Sequence, residues 1–168
     1  MKKPVFQLII CVLCLTFLSC GSTKNDKDDL LIKIAPSSQI VGIGEEISYQ
    51  VKVENVEDLF AIALEIVFNG NLVELPDGPL TVGTAWGSEV IAVSFNEIDR
   101  LNVAIGLMQA DNVVTLKGDK TLFEFVIRGK TAGMSQIFIH NLTMIDREGE
   151  MIDDFDEIEI ENSSVTVQ

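Results

Sequence analysis

The stretch EISYQVKVEN, residues 46–55, sets Ile47, Tyr49, Val51 and Val53 in strict alternation with Ser48, Gln50 and Lys52, then breaks at Glu54-Asn55. In an extended strand successive side chains point to opposite faces, so this spacing collects the apolar groups on one side. A helix would scatter them around its axis. The same period returns in Ile62, Leu64, Ile66 and Phe68 before the turn Asn69-Gly70-Asn71, and again in Leu101, Val103, Ile105 and Leu107. Phe123, Phe125 and Ile127 repeat it, as do Ile137 with Ile139, Ile158 with Ile160, and Val165 with Val167. No long segment offers a helical apolar stripe with caps. The chain is therefore predicted to be all-β, and residues 30–168 suffice for one core shared by two packed sheets.

Upstream the pattern is different. Lys2 and Lys3 precede an apolar run from Pro4 to Leu18, too short for a comfortable bilayer span and shaped like an export signal. The run ends in Phe17-Leu18-Ser19-Cys20, which resembles the bacterial lipobox, where cleavage before a cysteine leaves that residue to be acylated. The resemblance implies a signal peptide over residues 1–19 and lipidation of Cys20. Residues 20–29, CGSTKNDKDD, hold no large apolar side chain and read as a flexible tether. Lys27-Asp28-Asp29 resembles the surface-export signal of Bacteroides-group lipoproteins, so the expected location is the bacterial envelope, on the outer membrane or cell surface.

Charge and cysteine usage narrow the function classes. The net charge is −14, and removal of residues 1–19 would take away two lysines and no acid. So acidic a chain is a poor ligand for nucleic acid, and contact with the membrane is expected through the lipid alone. Cys11 and Cys14 leave with the signal and Cys20 carries lipid, which excludes a disulfide framework or a cysteine metal site. His140 is the only histidine and should point outward from a strand that buries Ile137 and Ile139, and without a second histidine or a thiolate the reading excludes Ser-His-Asp and Cys-His triads. No cofactor is expected and no enzyme activity.

From Ile40 to Val167 the order of motifs resembles the bacterial cohesin domain. The resemblance rests on Val41-Gly42-Ile43-Gly44-Glu45, the run Val51 to Val56, the run Asp58 to Phe68, and Leu72-Val73-Glu74-Leu75. It continues through Leu122 to Ile127, Lys130-Thr131-Ala132-Gly133, Asn141 to Gly149, and Ser164 to Val167. It implies a jelly-roll sandwich of about nine strands and a role in docking a dockerin-bearing protein in polysaccharide degradation. Two departures are visible. Ala61 and Ala63 stand where clostridial cohesins carry outward polar residues, and Phe68-Asn69-Gly70 replaces their usual Tyr-Asp-Pro.

Outward positions then define a candidate docking face. With Ile62, Leu64 and Ile66 inward, Ala61, Ala63 and Glu65 face out; with Leu101, Val103 and Ile105 inward, Asn102, Ala104 and Gly106 face out. Reading Ile91, Val93 and Phe95 as inward leaves Ala92 and Ser94 on the same outer surface. Alanine and glycine add little packing to a strand, so a face built from them asks for a reason: close approach by a partner, or cover from the chain's own segment Pro76 to Gly87.

A carbohydrate-binding module is the alternative, with Trp86 in the loop Gly83-Thr84-Ala85-Trp86-Gly87 as its one good stacking candidate. Asp153-Asp154-Phe155-Asp156-Glu157 could offer oxygens to calcium but lacks the ordered spacing of an EF-hand, so no metal site is assigned. Asn141-Leu142-Thr143 and Asn162-Ser163-Ser164 fit the glycosylation triplet but are expected to be turn and strand-end residues.

Overall fold

The computed structural model describes residues 29–108, 114–152 and 158–168. The predicted signal peptide, Cys20, the predicted tether through residue 28 and the acidic run 153–157 lie outside them. The alternating segments form strands β1 (Leu31–Ala35), β2 (Gln39–Val41), β3 (Glu46–Leu59), β4 (Ala61–Val67), β5 (Val73–Glu74) and β6 (Leu80–Val82). A 3-10 turn, Thr84–Trp86, precedes β7 (Val90–Asn96), β8 (Arg100–Leu107), β9 (Leu116–Gly129), β10 (Gly133–Ile145), β11 (Glu159–Glu161) and β12 (Ser163–Val167). The count exceeds the expected nine because β2, β5, β6 and β11 are pairings of only two or three residues.

These strands make two sheets, as expected. One runs β11-β1-β3-β9-β5 with β6 also on β9, and the other runs β2-β12-β10-β4-β8-β7. Between them lie the predicted inward sets: Tyr49, Val51 and Val53 of β3 and Phe123, Phe125 and Ile127 of β9 from one side, Ile62, Leu64, Ile66, Leu101, Val103, Ile105, Ile137 and Ile139 from the other. Each fully buried side chain of this kind contributes about 2 kcal/mol. Tyr49 stacks on Phe125 with ring centroids 5.5 Å apart, and its hydroxyl donates to the Ser164 carbonyl at 2.9 Å. Burial raises the Tyr49 phenol from 10.0 to about 12.

One interruption of the two-residue period has structural consequences. The β3–β9 ladder pairs Val51 with Phe123 but Lys52 with Thr121, so Leu122 is an extra residue and both Leu122 and Phe123 are buried. The Leu122 carbonyl, released from the ladder, accepts from Gly83 N at 2.9 Å and from Trp86 Nε1 at 2.8 Å. Gly83 is required there, since a Cβ would stand 2.1 Å from the Thr121 carbonyl oxygen. Trp86 is 2% exposed, which removes it as a sugar-stacking platform. Its ring and its indole N–H are both used inside the sandwich.

The outer faces of the two sheets differ in character. On the first, Lys33 pairs with Glu54, Gln50 with Glu124, and Arg128 with Glu46 and Glu74. That surface is a solvated charge ladder. The second sheet carries the candidate face.

Candidate functional site

Strand registers place the outward side chains of the second sheet in rows. Ile145, Ala61, Gly106 and Ile91 form one row across β10, β4, β8 and β7, and Thr143, Ala63, Ala104 and Val93 form the next. The third is His140, Glu65, Asn102 and Phe95, followed by Phe138, Val67 and Arg100. Six of the eight predicted face residues are thus brought together: Ala61, Ala63, Glu65, Asn102, Ala104 and Gly106.

Ala92 and Ser94 are corrected. They pair with the inward residues Ile105 and Val103 and so lie on the core-facing side of β7, whereas Ile91, Val93 and Phe95 are outward and 57%, 44% and 66% exposed. The cause is the turn before β8. Glu97 N bonds the Arg100 carbonyl around Ile98-Asp99, which fixes the register, and β7 is an edge strand that reaches past the core. Apolarity alone therefore misassigned the faces of this strand. Thr143 and Ile145 were missed because β10 shifts register between His140 and Thr143, where Asn141 has φ 48°. Asn141 accordingly sits inside a strand rather than at a turn or strand end, while Asn162 Oδ1 accepts from Ile139 N at 3.0 Å.

The first two rows make a shallow apolar trough of about 350 Å³. Its floor is Ala61, Ala63, Ala104 and Gly106, and its walls are Ile91 and Val93 on one side, Thr143 and Ile145 on the other. At Gly106 the floor is tightest, since a Cβ there would lie 3.0 Å from that of Ala61. Nothing folds over it from the chain's own 76–87 segment. Leu80–Val82 pairs with β9 of the opposite sheet, and Trp86 is anchored on Leu122.

Beyond the trough the third row is polar. Glu65 Oε1 accepts from Asn141 Nδ2 at 2.8 Å, and Oε2 accepts from Arg100 Nη1 at 3.0 Å with His140 Nδ1 at 3.5 Å. The Asn141 bond first, then His140 and Arg100, hold the Glu65 carboxyl below its ordinary value. His140 points outward as expected, and its partner is this carboxylate. Asn102 Nδ2 donates to Glu97 Oε1 at 3.0 Å. Such a row fixes orientation by hydrogen bonding, and it presents no activated nucleophile.

No protein-family model and no curated protein sequence matches the chain. Solved structures do. A non-cellulosomal cohesin of the archaeon Archaeoglobus fulgidus is 18% identical, with a TM-score of 0.66 over 83% of this chain and 91% of that one. A type II cohesin domain from the cellulosome of Acetivibrio cellulolyticus is 12% identical, with a TM-score of 0.68 over 82% of this chain and 95% of that one. A cohesin–dockerin complex from Clostridium thermocellum matches at 14% identity and a TM-score of 0.63, over 84% of this chain and all of that one. The chain thus has the cohesin-type sandwich fold.

Proposed function

We propose that the protein is a docking module of cohesin type, which binds a protein partner on the β10-β4-β8-β7 face. The observation that carries this reading is the open trough, with a floor of Ala and Gly and apolar walls on an otherwise acidic chain. Four adjacent strands at about 4.8 Å spacing put the walls about 14 Å apart. That is a backbone-to-backbone spacing, and an α-helix, about 10–12 Å across with its side chains, can rest along this face with small residues against the low floor. The likeness to cohesins solved with dockerins supports a dockerin-bearing partner. The polar row from His140 to Phe95 would orient the bound helix.

The same reading makes the chain a lipoprotein, held by Cys20 at the outer membrane or cell surface of a bacterium and serving polysaccharide degradation. Binding, not catalysis, is its task. Cys20→Ser should leave the chain unlipidated and move it out of the membrane fraction, checked by mass spectrometry of the mature N-terminus. Direct glycan binding is the weaker reading, because Trp86 is enclosed.

Affinity capture with the wild-type chain and Ala63→Arg in parallel tests the docking face. A dockerin-bearing protein retained by the first and lost by the second supports the proposal. A partner retained equally by both removes the trough from consideration.

A further inference from the structure

We propose a second interaction site, adjoining the trough on the far side of its Ile91–Val93 wall: the free edge of β7 receives an extended segment of a partner protein, apolar at alternate positions and basic at both ends. Strand β7 ends its sheet, and among the described residues no strand pairs with its far side.

The phase of the β7–β8 ladder identifies the open groups. Glu97 N bonds the Arg100 carbonyl at 2.9 Å and Met108 N bonds the Glu89 carbonyl at 2.8 Å, with an unbroken register between these two pairs. Antiparallel pairs alternate between bonded and non-bonded, so Ile91, Val93 and Phe95 turn their N–H and C=O groups toward β8. Val90, Ala92, Ser94 and Asn96 turn theirs toward the open edge.

Soluble proteins guard such edges with lysine, proline, bulges or short strands. Residues 90–96, VIAVSFN, have seven residues in regular register with no charge and no proline. Both faces are unfinished as well. Ile91, Val93 and Phe95 are exposed on the outer side, and Ala92 is exposed on the core-facing side, so β7 overhangs the core. An added strand would lie beside the three large side chains above and cover the overhang below.

Charge selects the occupant. Glu89 and Glu97 are exposed at the two ends of the strand, on a chain of net charge −14; Glu97 accepts from Asn102 Nδ2 at 3.0 Å and lies 3.8 Å from Arg100 Nε, so Glu89 is the stronger of the two acidic ends. A second copy paired antiparallel over the whole of β7 would set Glu89 and Glu97 of the two copies against each other at both ends, and like charges directly opposite destabilise a pair. A segment with lysine or arginine at its ends meets both carboxylates instead.

The test uses the full chain and a short peptide of alternating valine and threonine with lysine at each end, read by amide hydrogen exchange. Saturating peptide should slow exchange at Ala92 and Ser94 by about tenfold. Ala92→Pro and Ser94→Pro should abolish this binding with little change in thermal midpoint, because each removes an edge donor that β8 does not use. Ala63→Arg should leave it intact, so failure of the trough reading and of this one are distinguishable. The exchange measurement on the wild type stands even if a proline variant misfolds. Unchanged exchange at Ala92 and Ser94, equal binding of a glutamate-ended peptide, or protection that rises with protein concentration alone would each overturn the proposal.

Discussion

Ala63 on β4 stands directly opposite Ala104 on β8, and both methyl groups face solvent. Neither position gives its strand much packing, and larger residues on this exposed floor would favour the strands more. Low relief at this floor is therefore not explained by the packing of the strands themselves, and it fits the docking proposed for this face. That separates stability from binding at these positions, and the separation can be measured.

Ala63→Arg should leave urea stability within about 0.5 kcal/mol of the parent, since the side chain it introduces enters solvent. Partner docking should be lost, because a long charged group would stand in the middle of the trough. A large loss of stability in the isolated protein would mean that the chain itself covers the floor.

Trp86→Ala should cost about 4 kcal/mol, the loss of a large buried aromatic together with its cavity. It also leaves the Leu122 carbonyl without its indole donor. Urea unfolding provides the measurement, and a near-neutral result would return Trp86 to the surface.

Tyr49 is the chain's single tyrosine, so its titration can be followed by ultraviolet absorbance without ambiguity. Its phenol should ionise only near 12, above the ordinary 10.0, because burial opposes the charged form. The raised value means that this contribution to stability is complete below the unfolded pKa and is lost as pH rises through the folded one. Tyr49→Phe should cost about 1 kcal/mol at neutral pH through the missing bond to Ser164.

The Glu65 carboxyl should titrate below its ordinary value of 4.5, followed by side-chain carbon shifts in NMR. Its contribution is present above the unfolded value and is lost as pH falls through the depressed one. Asn141→Ala removes the foremost cause of the shift and should move the midpoint back up. No movement would show that Asn141 does not hold the carboxylate in solution.

The inward sets of β3, β4, β8, β9, β10 and β12 were legible because a period of two written in Ile, Val, Leu and Phe has one solution that buries them. The floor of the trough was legible for the same reason, as the complement of those sets. What the period could not convey was where it slips. Leu122 and Phe123 are adjacent and both buried, and the irregular step at Asn141 re-aims Thr143 and Ile145, so each break shifts side chains between faces. Strand β7 shows a different failure. Its apolar residues face outward because the core ends before the sheet does, and hydrophobicity by itself points inward. The Glu97–Arg100 turn carried the missing register, and counting back from it across β8 puts Ile91 opposite Gly106.

The early and late strands of the chain meet in both sheets, β1 beside β11 and β2 beside β12, and both pairs run parallel. In a parallel pair the start of one strand and the finish of the other lie at opposite ends. Tension drawn between those two points pulls the strands lengthwise past each other, so all their cross-strand bonds bear it together instead of opening one after another. A lengthwise pull on either pair would therefore load its ladder in shear and not peel it open.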